Sequence, residues 1–588
     1  MVDGGLAGLI REWRDWWGGL GAWPRVVAVT LLLAPLCLLL WREARYLTLL
    51  VLALPGLWYG FRIGFLAFPD RAGRRVLWLV WLFLAVGLLS WAANGFVEGG
   101  VDRFARHNRL LIFLPLLITL LWLRPPRHWL WAVLGLAGLG FGLAAGLEVL
   151  QADQGFAHRV GGDANELVFG LLCTLLAAAL AVAAWQHRGQ PLLALWLLAG
   201  MLAAALGLVL SGMRIGLPAL ALALPVAALV LWRRGDGRAA LLFLVLPLLF
   251  LPLLVLVVGQ GMQARFATGL DQARDYFSVE GRMPPRVEAV AGCQDDPRLL
   301  QASLSAFYTL QRGLETVEVL PGAADAPCGE GARFRLRAGE SHARFYLPRQ
   351  LPIDVGRADG LVMARGEGAR LRLRDGEWQT VDASLARLSL ASDRIHRSRI
   401  EIDIAPGGWL EWVPEARWPG EYRYPHVFGS MSQRLEMWRI ALAAFAERPL
   451  LGHGTGSFNE IARVRIEAGA APHVMAHYDH AHSEYLEALA TRGVPGVLML
   501  IALLAALMHA SLRSGPQALP FLASWTALAV IFVTEASLSS NLPTVSIAFL
   551  MALALYFGQG SPPAVDWSRN RLRPARRRVQ GGKGASHD

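Results

Sequence analysis

HAHSEYLEALATRGVPGVLMLIALLAAL, residues 480–507, joins a short amphipathic helix to an apolar run long enough to cross a bilayer. From His482, the residues Tyr485, Leu486 and Leu489 recur at i+3, i+4 and i+7, which predicts one helical face carrying His482 beside an apolar stripe. Thr491, Arg492 and Gly493 are predicted to end that helix, and the apolar run starts behind them. A histidine at the water side of a membrane suits proton transfer on a lipid-borne substrate, because imidazole titrates near neutrality. An interfacial structural histidine fits the same residues, and both readings are open here.

Working outward, apolar runs recur near 26–41, 46–61, 76–93, 110–123, 129–150, 167–185, 192–210, 215–232, 239–258, 494–512, 518–536 and 541–557. By length they predict an α-helical polytopic membrane protein with about twelve transmembrane helices, the break from Ser211 to Gly216 being either a turn or a kink. With 55% hydrophobic and only 17% charged residues, an ordinary soluble domain is excluded. A net charge of +11 would suggest nucleic acid in a soluble protein. Here the cations crowd into short loops and the 569–583 tail, so membrane orientation explains them and no nucleic-acid partner is expected.

The segments holding Arg71, Arg74 and Arg75, then Arg124 and Arg127, then His187 and Arg188, then Arg233, Arg234 and Arg238, and the tail fall on one side, which the positive-inside rule makes cytoplasmic. Both termini are expected there. No cleavable signal is expected, since Arg11, Arg14 and neighbouring tryptophans precede Val26 and no small-residue cleavage site follows the first run. The outer side receives 94–109, 151–166, the Ser211 turn and the long segment 260–490. The expected organisation is nine transmembrane helices in 1–259, an outer helical segment at 260–284, a β-rich insertion at 285–425, an outer helical segment at 426–493, helices ten to twelve in 494–558 and a basic tail at 559–588.

The insertion is predicted from alternation at Ala332 to Arg337, His342 to Leu347, Ala369 to Leu373 and Arg399 to Ile404, with Gly, Asp and Pro turns between. Its length suits a small antiparallel sandwich or barrel. Trp378, Trp409, Trp412 and Trp418 suit stacking on sugar rings, although aromatics in a small β domain more often form its core. Cys293 and Cys328 share this polar segment and are a candidate disulfide in an oxidising compartment. Cys37 and Cys173 lie in apolar runs and read as small hydrophobes.

Arg214 sits between two apolar runs on the predicted outer face, where an arginine either snorkels to headgroups or clamps phosphate with its planar fork. Arg434 is predicted in the first turn of a helix capped by Ser430 or Ser432, with Leu435, Trp438 and Phe445 along one apolar side. A cation there opposes the helix dipole unless an anion binds; a plain surface arginine fits as well. Arg159 and Asn165 flank a Gly-Asp turn and are candidates for holding a lipid-linked sugar, or simply turn residues. His473, His477, His480 and His482 are close in sequence, but the spacing is irregular for zinc and no Cys is near, so no metal is expected. The 452–456 stretch GHGTG lacks the Lys-Ser/Thr ending of a nucleotide loop and reads as a tight turn.

Two stretches carry a family resemblance. His482-Ser483-Glu484-Tyr485-Leu486 followed by Gly493 and Gly496 resembles the H-N/S-x-Y-L…G-x-x-G signature of the O-antigen ligase and polymerase superfamily. Arg434 to Trp438, then 449–454 (PLLGHG) and Phe458, resembles that family's R-x-x-x-W…P-hydrophobic-hydrophobic-G-x-G…F run. Ser211 to Gly216 resembles its S-G-S-R-G element, and 159–165 its glycine-containing loop before the sixth helix. The family's outer loop is usually shorter and mostly helical, so 285–425 departs from its pattern.

The resemblance implies a bacterial inner-membrane glycosyltransferase, working on the periplasmic face without metal or other cofactor. Its donor would be a glycan on undecaprenyl pyrophosphate and its acceptor a hydroxyl, in an O-antigen ligase that of lipid A–core. Arg214 and Arg434 would neutralise the leaving pyrophosphate, and His482 would be the base or position the acceptor hydroxyl. Arg159, Asn165, Tyr485 and Trp438 would contact substrate. The alternatives are an O-antigen or exopolysaccharide polymerase, a protein O-oligosaccharyltransferase with a Ser or Thr acceptor, and, from another class, a transporter with Arg214 lining its path.

Overall fold

Helices dominate wherever the apolar runs occur, and their ends follow local chemistry. In the computed structural model, Asp70 caps Arg71–Ala93 by accepting from the Gly73 N–H at 2.7 Å, Pro191 opens Pro191–Ser211, and Asn165 caps Glu166–Gln186. The structure describes residues 6–40, 42–67, 69–152, 159–161, 165–258, 260–277, 286–289, 314–320, 333–340, 343–347, 361–365, 368–373, 379–380, 386–389, 400–413, 430–467, 471, 475, 478–513, 515–559, 565–566 and 571–572.

Among these residues ten helices are long and apolar enough to cross a membrane, from Tyr46–Ile63 to Asn541–Gly558. The expectation of about twelve is corrected to about ten: the runs near 26–41 and 518–536 fall in the shorter apolar stretches Ala22–Pro35 and Pro516–Ile531. Pro35 lies inside the first helix, and the second helical stretch ends in a turn at Phe532 to Thr534. Ser211 to Gly216 is a true break, with one helix ending at Ser211 and the next beginning at Gly216.

The chain folds as two units, one made of 1–265, 448–456 and 483–588, the other of 266–447 and 457–482. In the first, Arg127–Gln151 packs against Pro191–Ser211 so closely that a Cβ on Gly138 would stand 2.3 Å from the Gly200 carbonyl oxygen. Small residues let apolar helices approach where lipid supplies no hydrophobic drive. Trp131, Phe521 and Phe557 stack at 5.0–5.4 Å around Trp131, and Trp131 is fully buried.

The second unit contains Gln260–Phe277 in large part, Ser430–Glu447 and Phe458–Glu467, together with short strands. Leu314–Leu320 and Trp409–Val413 both pair antiparallel with Arg333–Ala338, and Ala343–Leu347 and Ala369–Leu373 both pair antiparallel with Ile400–Ile404. Arg333–Ala338, Ala343–Leu347, Ala369–Leu373 and Ile400–Ile404 sit at the four alternating stretches, whereas Leu314–Leu320 and Trp409–Val413 lie outside them. The larger expectation of an inserted β-rich sandwich or barrel over 285–425 is not supported: among the described residues, which are mostly helical, strand is a small part, and most of that stretch lies outside them. Cys293, Cys328, Trp378 and Trp418 lie outside them too. Trp409 is engaged by Arg335, whose guanidinium sits 5.0 Å from its ring centre and also pairs with Glu411.

Candidate active site

The glycines of the two quoted motifs meet each other. In the first unit, the 449–456 segment lies against the middle of Glu484–Arg513, where the helix is interrupted at Gly493 with φ 67° and ψ −162°. The Val494 N–H donates to the Pro449 carbonyl at 2.8 Å, while the His453 and Gly454 N–H groups donate to Ala490 and Thr491 at 3.0 Å. A Cβ on Gly452 would lie 2.4 Å from the Thr491 carbonyl carbon, and one on Gly493 would lie 2.5 Å from the Leu450 carbonyl oxygen. Both glycines have positive φ, so each is required twice, for backbone conformation and for space. Ser90 of Arg71–Ala93 donates its hydroxyl to the carbonyls of Leu451 and Thr491, at 2.7 and 2.6 Å, and so ties a third element to the junction.

From Ser483 onward the chain belongs to the first unit and is anchored within it. The Glu484 N–H donates to the Phe532 carbonyl at 2.9 Å and the Tyr485 hydroxyl to the Ala529 carbonyl at 2.9 Å. Tyr485, expected to contact substrate, thus has a structural bond of its own. Glu484, Glu487 and Arg492 are all buried; Arg492 lies 3.8 Å from the Glu484 carboxylate and its guanidinium 4.5 Å from the Phe83 ring centre. The other Glu484 oxygen accepts from the Leu538 N–H at 3.0 Å. Arg103 and His107 of Gly100–Asn108 are buried as well. Sequence reasoning passed over these charges, although ionisable residues within a span ask for partners.

Arg214 is half-buried in the turn after Ser211. Arg159 is laid along the end of the Pro191–Ser211 helix: its Nε donates to the Ser211 carbonyl at 3.4 Å, its Nη1 lies 3.5 Å from Glu166, and the Val160 N–H donates to Leu210 at 3.1 Å. Arg159 therefore reaches the helix end just ahead of the turn that bears Arg214. Asn165 is exposed, and its side chain accepts from the Val168 N–H at 2.8 Å, the bond of a helix cap.

In the second unit, Ser430–Glu447 carries Arg434 in its fifth position. This corrects the first-turn placement: Ser432 is inside the helix and buried rather than capping it. The buried face runs through Glu436, Met437, Ile440, Ala441 and Ala444, so Leu435, Trp438 and Phe445 are half-buried rather than the core stripe. The Trp438 indole nitrogen is buried with no hydrogen-bond partner among the described residues.

His482 is also corrected. It precedes the helix that begins at Glu484 and adopts φ 49°, so it does not share that helical face with Tyr485, Leu486 and Leu489. Left-handed backbone at a non-glycine residue costs on the order of 1 kcal/mol and is common at functional sites. The imidazole stands against that of His480, centroids 4.4 Å apart, and in a T-shaped contact with the Tyr478 ring at 5.7 Å. His480 is hydrogen bonded through Nδ1 to Asp479. Among the described residues no group of three His, Cys, Asp or Glu side chains is placed to hold a metal, and His473 and His477 lie outside those residues. Arg434 and His482 thus belong to one unit and Arg214 and Arg159 to the other.

Residues 425–501 match the O-antigen ligase family. Arg434, Trp438, Gly452, His482, Gly493 and Gly496 all lie inside that match, so the superfamily recognised from the two motifs is the one found. The O-antigen ligase match stops short of Arg159, Asn165 and Arg214. An uncharacterized protein of Haemophilus influenzae is 29% identical over 75 residues, which are 13% of this chain and 19% of that protein. The aligned region thus spans about a fifth of that relative's length. Together with the apolar helices, the O-antigen ligase match indicates a multi-pass membrane protein.

Proposed function

We propose that the protein is a glycosyltransferase of the inner membrane that moves a glycan from undecaprenyl pyrophosphate to an acceptor hydroxyl on the periplasmic face, acting as an O-antigen ligase on lipid A–core. The observation that carries this reading is the O-antigen ligase match over 425–501, with His482 held at φ 49° just ahead of an anchored helix. In the reaction the acceptor oxygen bonds to the anomeric carbon as the bond from that carbon to the pyrophosphate oxygen breaks. His482 takes the acceptor proton, and Arg214 and Arg434 carry the negative charge left on pyrophosphate. Arg159, whose Nε reaches the Ser211 carbonyl ahead of Arg214, contacts the lipid-linked sugar. Among the described residues two candidate spans, Gly216–Arg233 and Gly237–Leu256, lie between Arg214 and the Ser430 helix in sequence, an even number that is compatible with one side for all three residues. The basic loops and tail support a cytoplasmic assignment for the opposite side.

The test is surface-glycan analysis of a strain lacking the protein, complemented with wild type or His482→Ala. Unmodified lipid A–core with accumulated lipid-linked polymer identifies a ligase. Single repeat units on capped core turn the reading to polymerase, and deglycosylated secreted protein with intact lipopolysaccharide turns it to protein glycosylation. His482→Ala is expected to lower transfer by about 100-fold or more at unchanged protein level, the scale of a lost general base. Full complementation by His482→Ala would remove His482 from the chemistry.

A further inference from the structure

One side chain in the second unit touches both functional segments. Tyr478 packs its ring in a T-shaped contact with His482, with centroids 5.7 Å apart and planes at 74°, and its hydroxyl donates to Gln433 Oε1 at 2.7 Å. Gln433 immediately precedes Arg434 in Ser430–Glu447. That helix is itself a fixed base. The Met431 N–H donates to Gln272 at 3.1 Å, and the fully buried Glu436 carboxylate accepts from the Tyr276 hydroxyl at 2.9 Å while pairing with Arg439. The Tyr478 backbone is held as well, its N–H donating to the Met475 carbonyl at 3.1 Å.

We propose that Tyr478 is a positioning residue for His482, its ring fixing the orientation of the imidazole and its hydroxyl tying that orientation to the helix that bears Arg434. The inference rests on the transferase reading above. The argument is geometric. A base must meet the acceptor proton within hydrogen-bond reach, and a displacement of about 1 Å costs a positioned reaction about 100-fold. His482 lies in a loop, where its own backbone bonds do not set the ring. The Tyr478 ring supplies a wall, and the Gln433 bond keeps that wall from turning away. His480, on which the His482 ring also rests, is held in turn by Asp479.

The experiment uses the full chain in membrane vesicles with lipid-linked donor and acceptor, comparing Tyr478→Phe, Gln433→Met, the double variant and His482→Ala. Tyr478→Phe keeps the ring and loses only the tether. It is expected to lower kcat about tenfold with KM for donor within about twofold, since the interaction lost acts on the reacting geometry rather than on binding. Gln433→Met is expected to match it, and the double variant to be no worse than either single one, because both remove the same bond. A wild-type kcat in Tyr478→Phe, or single effects that multiply in the double variant, overturns the proposal. If His482→Ala is inactive while Tyr478→Phe is fully active, only this inference fails; if His482→Ala is active, the transferase role of His482 fails and takes this inference with it.

Discussion

Where 449–456 meets 490–494, backbone meets backbone; around His482, side chain meets side chain. The first contact is closed to any added atom, as the 2.4 and 2.5 Å approaches at Gly452 and Gly493 show. The second is built from Gln433, Tyr478, His480 and His482, each of which offers a polar group that other side chains can imitate. A steric junction is therefore written in the sequence as glycines at fixed places, while a polar cradle leaves no spacing to read. The junction should fail through folding and the cradle through rate.

The largest effect expected is at the junction. Gly493→Ala must take φ 67° and place a methyl group against two carbonyls, which is expected to cost about 3 kcal/mol or more and to strip the protein from the membrane fraction. Protein level and thermal unfolding in detergent check it, and wild-type stability would mean the junction opens easily. Next comes the buried charge beside it. Arg492→Met leaves Glu484 and Glu487 buried without that cation and is expected to destabilise by roughly 3 kcal/mol, part of which returns when Glu484→Gln is added. Additive losses in the double variant would show that Arg492 and Glu484 are not coupled.

The smallest effect separates packing from chemistry at residues expected to bind substrate. Asn165→Ala removes a helix cap and is expected to cost about 1 kcal/mol with transfer unchanged. A selective loss of transfer at normal stability would return Asn165 to the substrate.

The sequence made the helical membrane architecture legible because apolar length is a strong one-dimensional signal. It counted two runs, near 26–41 and 518–536, that fall in the shorter apolar stretches Ala22–Pro35 and Pro516–Ile531 among the described residues. The motif glycines were legible, and Arg434 and His482, marked by the same motifs, both fall within the matched segment. The placement of His482 on a helix was not, since a 3.6-residue period continues through Tyr485 and Leu489 even though the helix begins at Glu484. Periodicity cannot register a left-handed residue at the boundary. Tyr478 was missed because a tyrosine four residues before a histidine has no pattern of its own; its role appears only when Gln433, 45 positions earlier, comes to meet it. Tyr485 is the converse: its motif position marks it, and the bond from its hydroxyl to the Ala529 carbonyl is a structural tie that the motif does not announce.

The backbone junction also limits how this protein can be recombined. A chimera that keeps 449–456 of this chain but takes 490–496 from another protein would join two halves of a clasp shaped separately, and exchanging both together is the route that keeps it shut. Domain grafts should therefore place their seams outside both segments.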